Sequence, residues 1–164
     1  MKPQLSQILA ALQEEFTTQL IAGHDEVEDQ IWIDLGEDSQ GRSRRLELVF
    51  LPREDELSYL QFFVMLPFAA PADRTAELSR LLLSVNLKLP LVGFGLSEPE
   101  QWIYYRTIMP CSHRELDAEL VLHTIWLVFY MVERFSPIIE QLSAGNIAIG
   151  QAFESVERLL TSTE

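Results

Sequence analysis

The chain has 164 residues, 48% of them apolar and 23% charged, with 25 acidic against 12 basic side chains and a formal net charge of −13. That composition excludes a disordered chain and describes one globular domain over residues 1–164, large enough to bury roughly two thirds of its unfolded surface without a metal or disulfide staple. So acidic a surface repels phosphate backbones and anionic lipids, so neither nucleic acid nor a membrane is an expected partner.

Leu5, Ile8, Leu9, Leu12, Phe16 and Leu20 recur at helical spacing and predict an amphipathic helix that ends at Gly23. After the acidic loop His24 to Asp29, Gln30–Leu35 alternates, Gly36–Gly41 supplies turn residues, and Leu46, Leu48 and Phe50 alternate again, which predicts a β-hairpin. Pro52–Glu56 makes the next turn and Leu57–Leu66 a third strand, apolar on both sides, with Leu60, Phe62, Val64 and Leu66 on one and Tyr59, Phe63 and Met65 on the other. Such a strand is either central in a sheet covered twice or offers one face to a partner. Pro67 and Pro71 are expected to stop it.

Asp73 is the expected N-cap of a helix carrying Leu78, Leu81, Leu82 and Val85 on one face and ending at Asn86–Pro90. Val92–Leu96 and Trp102–Ile108 read as two strands around the turn Ser97–Glu100, with Gly93 and Gly95 marking a close approach of some other group to the backbone. Ser112–Glu115 matches a capping box that opens the longest helix, which is apolar on nearly every side from Leu120 to Val132, is expected to kink or restart at Pro137, and ends at Gly145-Asn146. Ile149, Ala152, Phe153, Val156 and Leu160 form one more amphipathic face. Either this last helix folds back over the long one, or the long helix or an uncovered sheet face makes a homodimer; the two are compatible. The order α-β-β-β-α-β-β-α plus a C-terminal helix is an α+β fold on an antiparallel sheet.

No catalytic signature emerges. His24, His113 and His123 have no zinc-ligand spacing, so no metal is assigned, and Gly93-Phe94-Gly95 lacks both the third glycine and the strand-to-helix context of a dinucleotide site, so no cofactor is expected. Cys111, the lone cysteine, stands beside His113 at a predicted helix start, where a thiolate is stabilised; the plainer reading is a small residue before a capping box. Arg42, Arg44 and Arg45 form one basic cluster, read first as local charge balance across strands and second as a dock for an acidic partner. A lone cysteine favours a reducing compartment, and the first residues lack the apolar core of a signal peptide, so the cytoplasm is expected.

The element order, the acidic balance, and the stretch Val85-Asn86-Leu87 through Gly93-Phe94-Gly95-Leu96 to Tyr104-Tyr105-Arg106 and Ile108-Met109-Pro110 resemble the type III secretion chaperone-like fold, and within it the YbjN-like group of bacterial proteins. The resemblance covers residues 5–142 and implies a twisted antiparallel sheet with helices, a homodimer and no enzyme active site. It also implies a surface that holds an extended segment of a client, although the added helix Ile147–Leu160 is a candidate cover for such a surface. The expectation is therefore a non-enzymatic, protein-binding or chaperone-like homodimer with Trp32, Tyr59, Phe63, Met65, Trp102 and Tyr104 in its binding surface. The alternative is a small-molecule sensor with a pocket between sheet and long helix, lined by Phe63, Trp102 and Trp126.

Overall fold

The computed structural model describes residues 5–24, 28–51, 57–111 and 116–162. Four helices and six strands follow one another as α1 (Ser6–Glu15), β1 (Thr18–Ile21), β2 (Gln30–Glu37), β3 (Ser43–Leu51), β4 (Ser58–Ala69), α2 (Thr75–Lys88), β5 (Phe94–Ser97), β6 (Trp102–Cys111), α3 (Ala118–Ser143) and α4 (Ile149–Thr161). The strands form one antiparallel sheet in the order β1-β2-β3-β4-β6-β5. The α+β architecture is thus the one the sequence predicts, with one strand more.

That strand is the main correction. The helix expected to reach Gly23 ends at Glu15, and Phe16 is already extended at φ −133°. Thr17, Thr18 and Ile21 are β-branched and lose rotamer freedom in a helix, and here they serve a strand instead. Proline also fails to stop two strands. Pro67 stands in β4 beyond the last β3 pairing, Leu46 with Val64, and Pro110 stands in β6 beyond the reach of the four-residue β5, so neither removes a ladder hydrogen bond.

Period-2 alternation splits the sheet into two unlike faces. Ile31, Ile33, Leu46, Leu48, Leu60, Phe62, Val64, Ile103 and Tyr105 are fully buried and share one core with the inward side chains of the helices: Ile8, Leu12, Leu78, Leu81, Val85, Val121, Ile125, Val128, Val132 and Ile139. Each such aliphatic side chain stabilises the fold by about 1.5–3 kcal/mol relative to exposure. The residues between them on the strands remain half-buried or exposed.

α2 is preceded by Arg74 with no side-chain cap, so Asp73 is not the N-cap. The capping box Ser112–Glu115 lies outside the described residues, as do the whole turn 52–56 and part of the loop 24–29; α3 itself begins at Ala118, where Asp117 Oδ1 accepts from Leu120 N–H at 3.1 Å. Pro137 is carried inside one continuous 26-residue helix. α4 folds back onto α2 and α3, burying Ala152 and Val156, with Lys88 paired to Glu157 and the Arg134 guanidinium donating to the carbonyl of Leu159. The C-terminal helix therefore covers helices and leaves the second face of the sheet alone.

Candidate functional site

Trp32, Tyr59, Phe63, Met65, Trp102 and Tyr104 all lie on the sheet face turned away from the helical core. Alternation puts them there: each is an odd step from a fully buried neighbour such as Ile33, Leu60, Phe62, Val64 or Ile103. Among the described residues no helix packs over this face. Met65 and Trp102 are 41% and 45% exposed, and Ile108 adds another exposed apolar side chain.

Cross-strand register arranges the face in rows. Trp32, Glu47, Phe63 and Arg106 run across β2, β3, β4 and β6, and Met65, Tyr104 and Gly95 continue a neighbouring row to β5. Phe63 and Tyr104 stack with ring centroids 5.6 Å apart. The Arg45 guanidinium lies 3.7 Å from the Trp32 ring centroid and donates to Glu47 at 2.6 Å and 3.1 Å, so its charge is shared between an aromatic face and a carboxylate. Arg106 Nε donates to Gln61 at 2.5 Å. Aromatic, methionine and arginine side chains are the types enriched where proteins bind each other.

The close approach foreseen at the two glycines is made by tyrosines. A Cβ on Gly95 would stand 2.5 Å from the Tyr104 ring on the open face, and one on Gly93 would stand 2.6 Å from the Tyr105 ring on the buried face. Tyr105 is fully buried, donates to the Leu91 carbonyl, and burial pushes its phenol well above the usual range, so it stays a neutral donor. A concavity of about 580 Å³ opens on the exposed face beside β1, lined by Thr17, Gln19, Trp32, Asp34, Arg45 and Met65 among others.

The pocket expected between sheet and long helix is not formed by its three named residues. Phe63 and Trp102 face away from the helices, whereas Trp126 packs on Phe16 at 4.9 Å and Phe129 at 5.9 Å and donates from Nε1 to Glu15 at 2.6 Å. Nor does Cys111 stand at a helix start. It ends β6, buried, its thiol pushed up by burial and donating to the Met109 carbonyl at 3.6 Å, while His113 lies outside the described residues. His24 and His123 are exposed and stand apart, on a loop and on α3.

The arginine cluster is charge-balanced, but not across strands as its first reading has it: Arg42 and Arg44 find carboxylates on α3, and Arg45 finds Glu47 on its own strand. Arg42 makes two 2.7 Å bonds to Glu140 of α3 and one of 2.7 Å to Asp38, which the Arg42 backbone N–H first, then its guanidinium and the Gln40 N–H, hold at about 2. Arg44, 5% exposed, pairs with Glu133 of the same helix and donates to the Glu37 carbonyl at 3.1 Å. These two arginines tie the β2–β3 hairpin to the C-terminal half of α3.

An antiparallel sheet packed with helices on one face, with aromatic and arginine side chains on the other, defines an α+β domain. Residues 5–141 match the YbjN family, described as "Putative bacterial sensory transduction regulator", and the chain belongs to that family. The match ends before α4. No curated protein matches the chain.

Proposed function

We propose that this protein is a non-enzymatic cytoplasmic regulator, acting as a homodimer, that holds a protein partner on the open face of its sheet in a chaperone-like manner. The observation that carries the reading is the gathering of Trp32, Tyr59, Phe63, Met65, Trp102 and Tyr104 on one face that α4 leaves free. The family's description as a sensory regulator supports a role exercised through binding. A buried Cys111 thiol held in its neutral form supports the absence of nucleophilic chemistry. The dimer draws support from exposed apolar side chains outside the sheet, Leu83 and Leu87 one turn apart on α2 and Val92 in the loop that follows, which are 70%, 86% and 58% exposed.

Affinity capture from the protein's own cells, followed by mass spectrometry, tests this reading. A stoichiometric partner is expected, lost from Phe63→Gln at unchanged helical circular dichroism. Capture that survives the substitution, or a chain that is monomeric at micromolar concentration and brings down nothing, overturns it.

The concavity beside Trp32 supports a second reading, a sensor for a small molecule, since about 580 Å³ falls within the size of ligand pockets. A thermal-shift screen of metabolites separates the two, because a ligand that binds the folded state raises the melting temperature by mass action.

A further inference from the structure

The two edges of the sheet are chemically unequal, and the inequality points to a strand-addition site. At the β5 edge, the register pairs Gly93, Gly95 and Ser97 with β6 and turns the main-chain groups of Phe94 and Leu96 outward. The Asn86 side chain meets Phe94 there from both sides: Nδ2 donates to the Phe94 carbonyl at 2.7 Å and Oδ1 accepts from the Phe94 N–H at 3.0 Å. At Phe94 a side-chain amide thus makes the two bonds that a neighbouring strand would make.

At the opposite edge nothing comparable is present among the described residues. Asp34 N–H donates to the Thr17 carbonyl, so Thr17, Gln19 and Ile21 bond to β2 while Thr18 and Leu20 turn their N–H and C=O groups outward. Leu20 is 38% exposed, and Thr18 Oγ1 is buried with no hydrogen-bond partner. Natural edges are blunted by short length, charge, proline or a bulge; β1 is only four residues long, but residues 16–23, Phe-Thr-Thr-Gln-Leu-Ile-Ala-Gly, contain neither charge nor proline, and β1 pairs with β2 without a register shift.

Charge selects the occupant. Glu15 precedes the strand and Asp34 pairs across from Thr17 at one end, while Asp29 adjoins Gln30, the partner of Ile21, at the other. Arg45, the cation nearest Asp34 in the register, is engaged with Trp32 and Glu47. A second copy would bring the same carboxylates against these ends. We infer that β1 takes an extended segment of a partner protein as a seventh strand, a segment apolar or β-branched at its centre and lysine- or arginine-bearing at both ends. Four main-chain groups of Thr18 and Leu20 supply the bonds, and the carboxylates at the two ends of β1 supply the selectivity. This rests on the protein-binding reading above but uses a different surface, the edge and not the open face.

The test uses the full chain and fluorescence anisotropy with a fluorescein-labelled peptide, Lys-Lys-Val-Thr-Val-Thr-Val-Lys-Lys. Binding is expected below about 1 mM, weakening at least about tenfold when the lysines become glutamates and falling as salt rises. Leu20→Pro removes one outward N–H and spares the β1–β2 ladder, and Thr18→Pro repeats the experiment should the first variant not fold; each is expected to weaken binding about tenfold or more. With the unaltered protein, N-methylation of one alternate set of peptide amides should abolish binding and of the other set should leave it, because only one edge of an added strand faces β1.

Equal effects of the two methylation patterns, or peptide binding indifferent to both proline variants, overturns the inference. So does a dimer in sedimentation that Leu20→Pro dissociates, which would give the edge to a second copy. If Leu20→Pro leaves peptide binding intact while Phe63→Gln still loses its captured partner, the edge assignment falls and the open-face reading stands. The converse pattern, peptide binding lost with Leu20→Pro and capture indifferent to Phe63→Gln, sinks the open-face reading alone.

Discussion

Gly93 and Gly95 look alike in the sequence and are unlike in consequence. A methyl group on Gly93 would meet the ring of Tyr105, which is fully buried and held by its bond to the Leu91 carbonyl, so the clash has nowhere to relax. Gly93→Ala is expected to cost about 1–3 kcal/mol by urea denaturation. On Gly95 the methyl group meets Tyr104, a half-buried ring that can swing outward at the expense of its stacking on Phe63, and Gly95→Ala should cost less than about 1 kcal/mol while perturbing the open face. Asp38 gives a pH signature at the same scale. Its carboxyl ordinarily titrates at 3.8 and is held at about 2 in the fold, so the unfolded chain binds the proton first. The stability it contributes is present above pH 3.8 and is lost as pH falls toward 2. Melting temperature followed over that window should flatten in Asp38→Asn. The close approach at both glycines was legible from glycine inside a strand pattern; that tyrosines make it was not, because it depends on cross-strand register.

Strand alternation made the candidate surface legible at the level of elements. Tyr59, Phe63 and Met65 fall in one phase of β4, opposite to Leu60, Phe62 and Val64, and the same rule places Trp32, Trp102 and Tyr104 once the strands are paired. What stayed hidden was β1. Phe16 and Leu20 continue the four-residue spacing of Ile8 and Leu12, so periodicity extends the helix through them, and only the β-branched Thr17, Thr18 and Ile21 argue otherwise. Asn86 was visible as a helix-end asparagine, yet its partner Phe94 lies eight residues on, across a turn that no local pattern fixes. Asn86→Ala is expected to strand the outward N–H and C=O of Phe94, cost about 1–2 kcal/mol, and raise self-association measured by light scattering.

For the molecule as a whole, the dominant long-range term is a net charge of −13. Self-repulsion at that charge opposes the compact state, and screening weakens it at the same time as it weakens exposed pairs such as Arg74–Glu77. With so large an excess of one sign the repulsion wins, and the melting temperature should rise between about 10 mM and about 500 mM sodium chloride. A fall over that range would mean that the arginine pairs with Glu133 and Glu140 carry more than the excess charge removes. The helical layer, with α4 laid over α2 and α3, covers one face only and leaves the sheet to end in two different ways. An open-ended ribbon of strands propagates: every arriving copy offers a fresh border to the next, and a filament follows. Here the amide of Asn86 already takes up the outward N–H and C=O of Phe94 beside α2, so, on the strand-addition reading, growth at that border is blunted and β1 is the terminus that receives. On that reading one side chain works as a chain terminator, and the sheet can receive a segment on one flank without becoming a polymer.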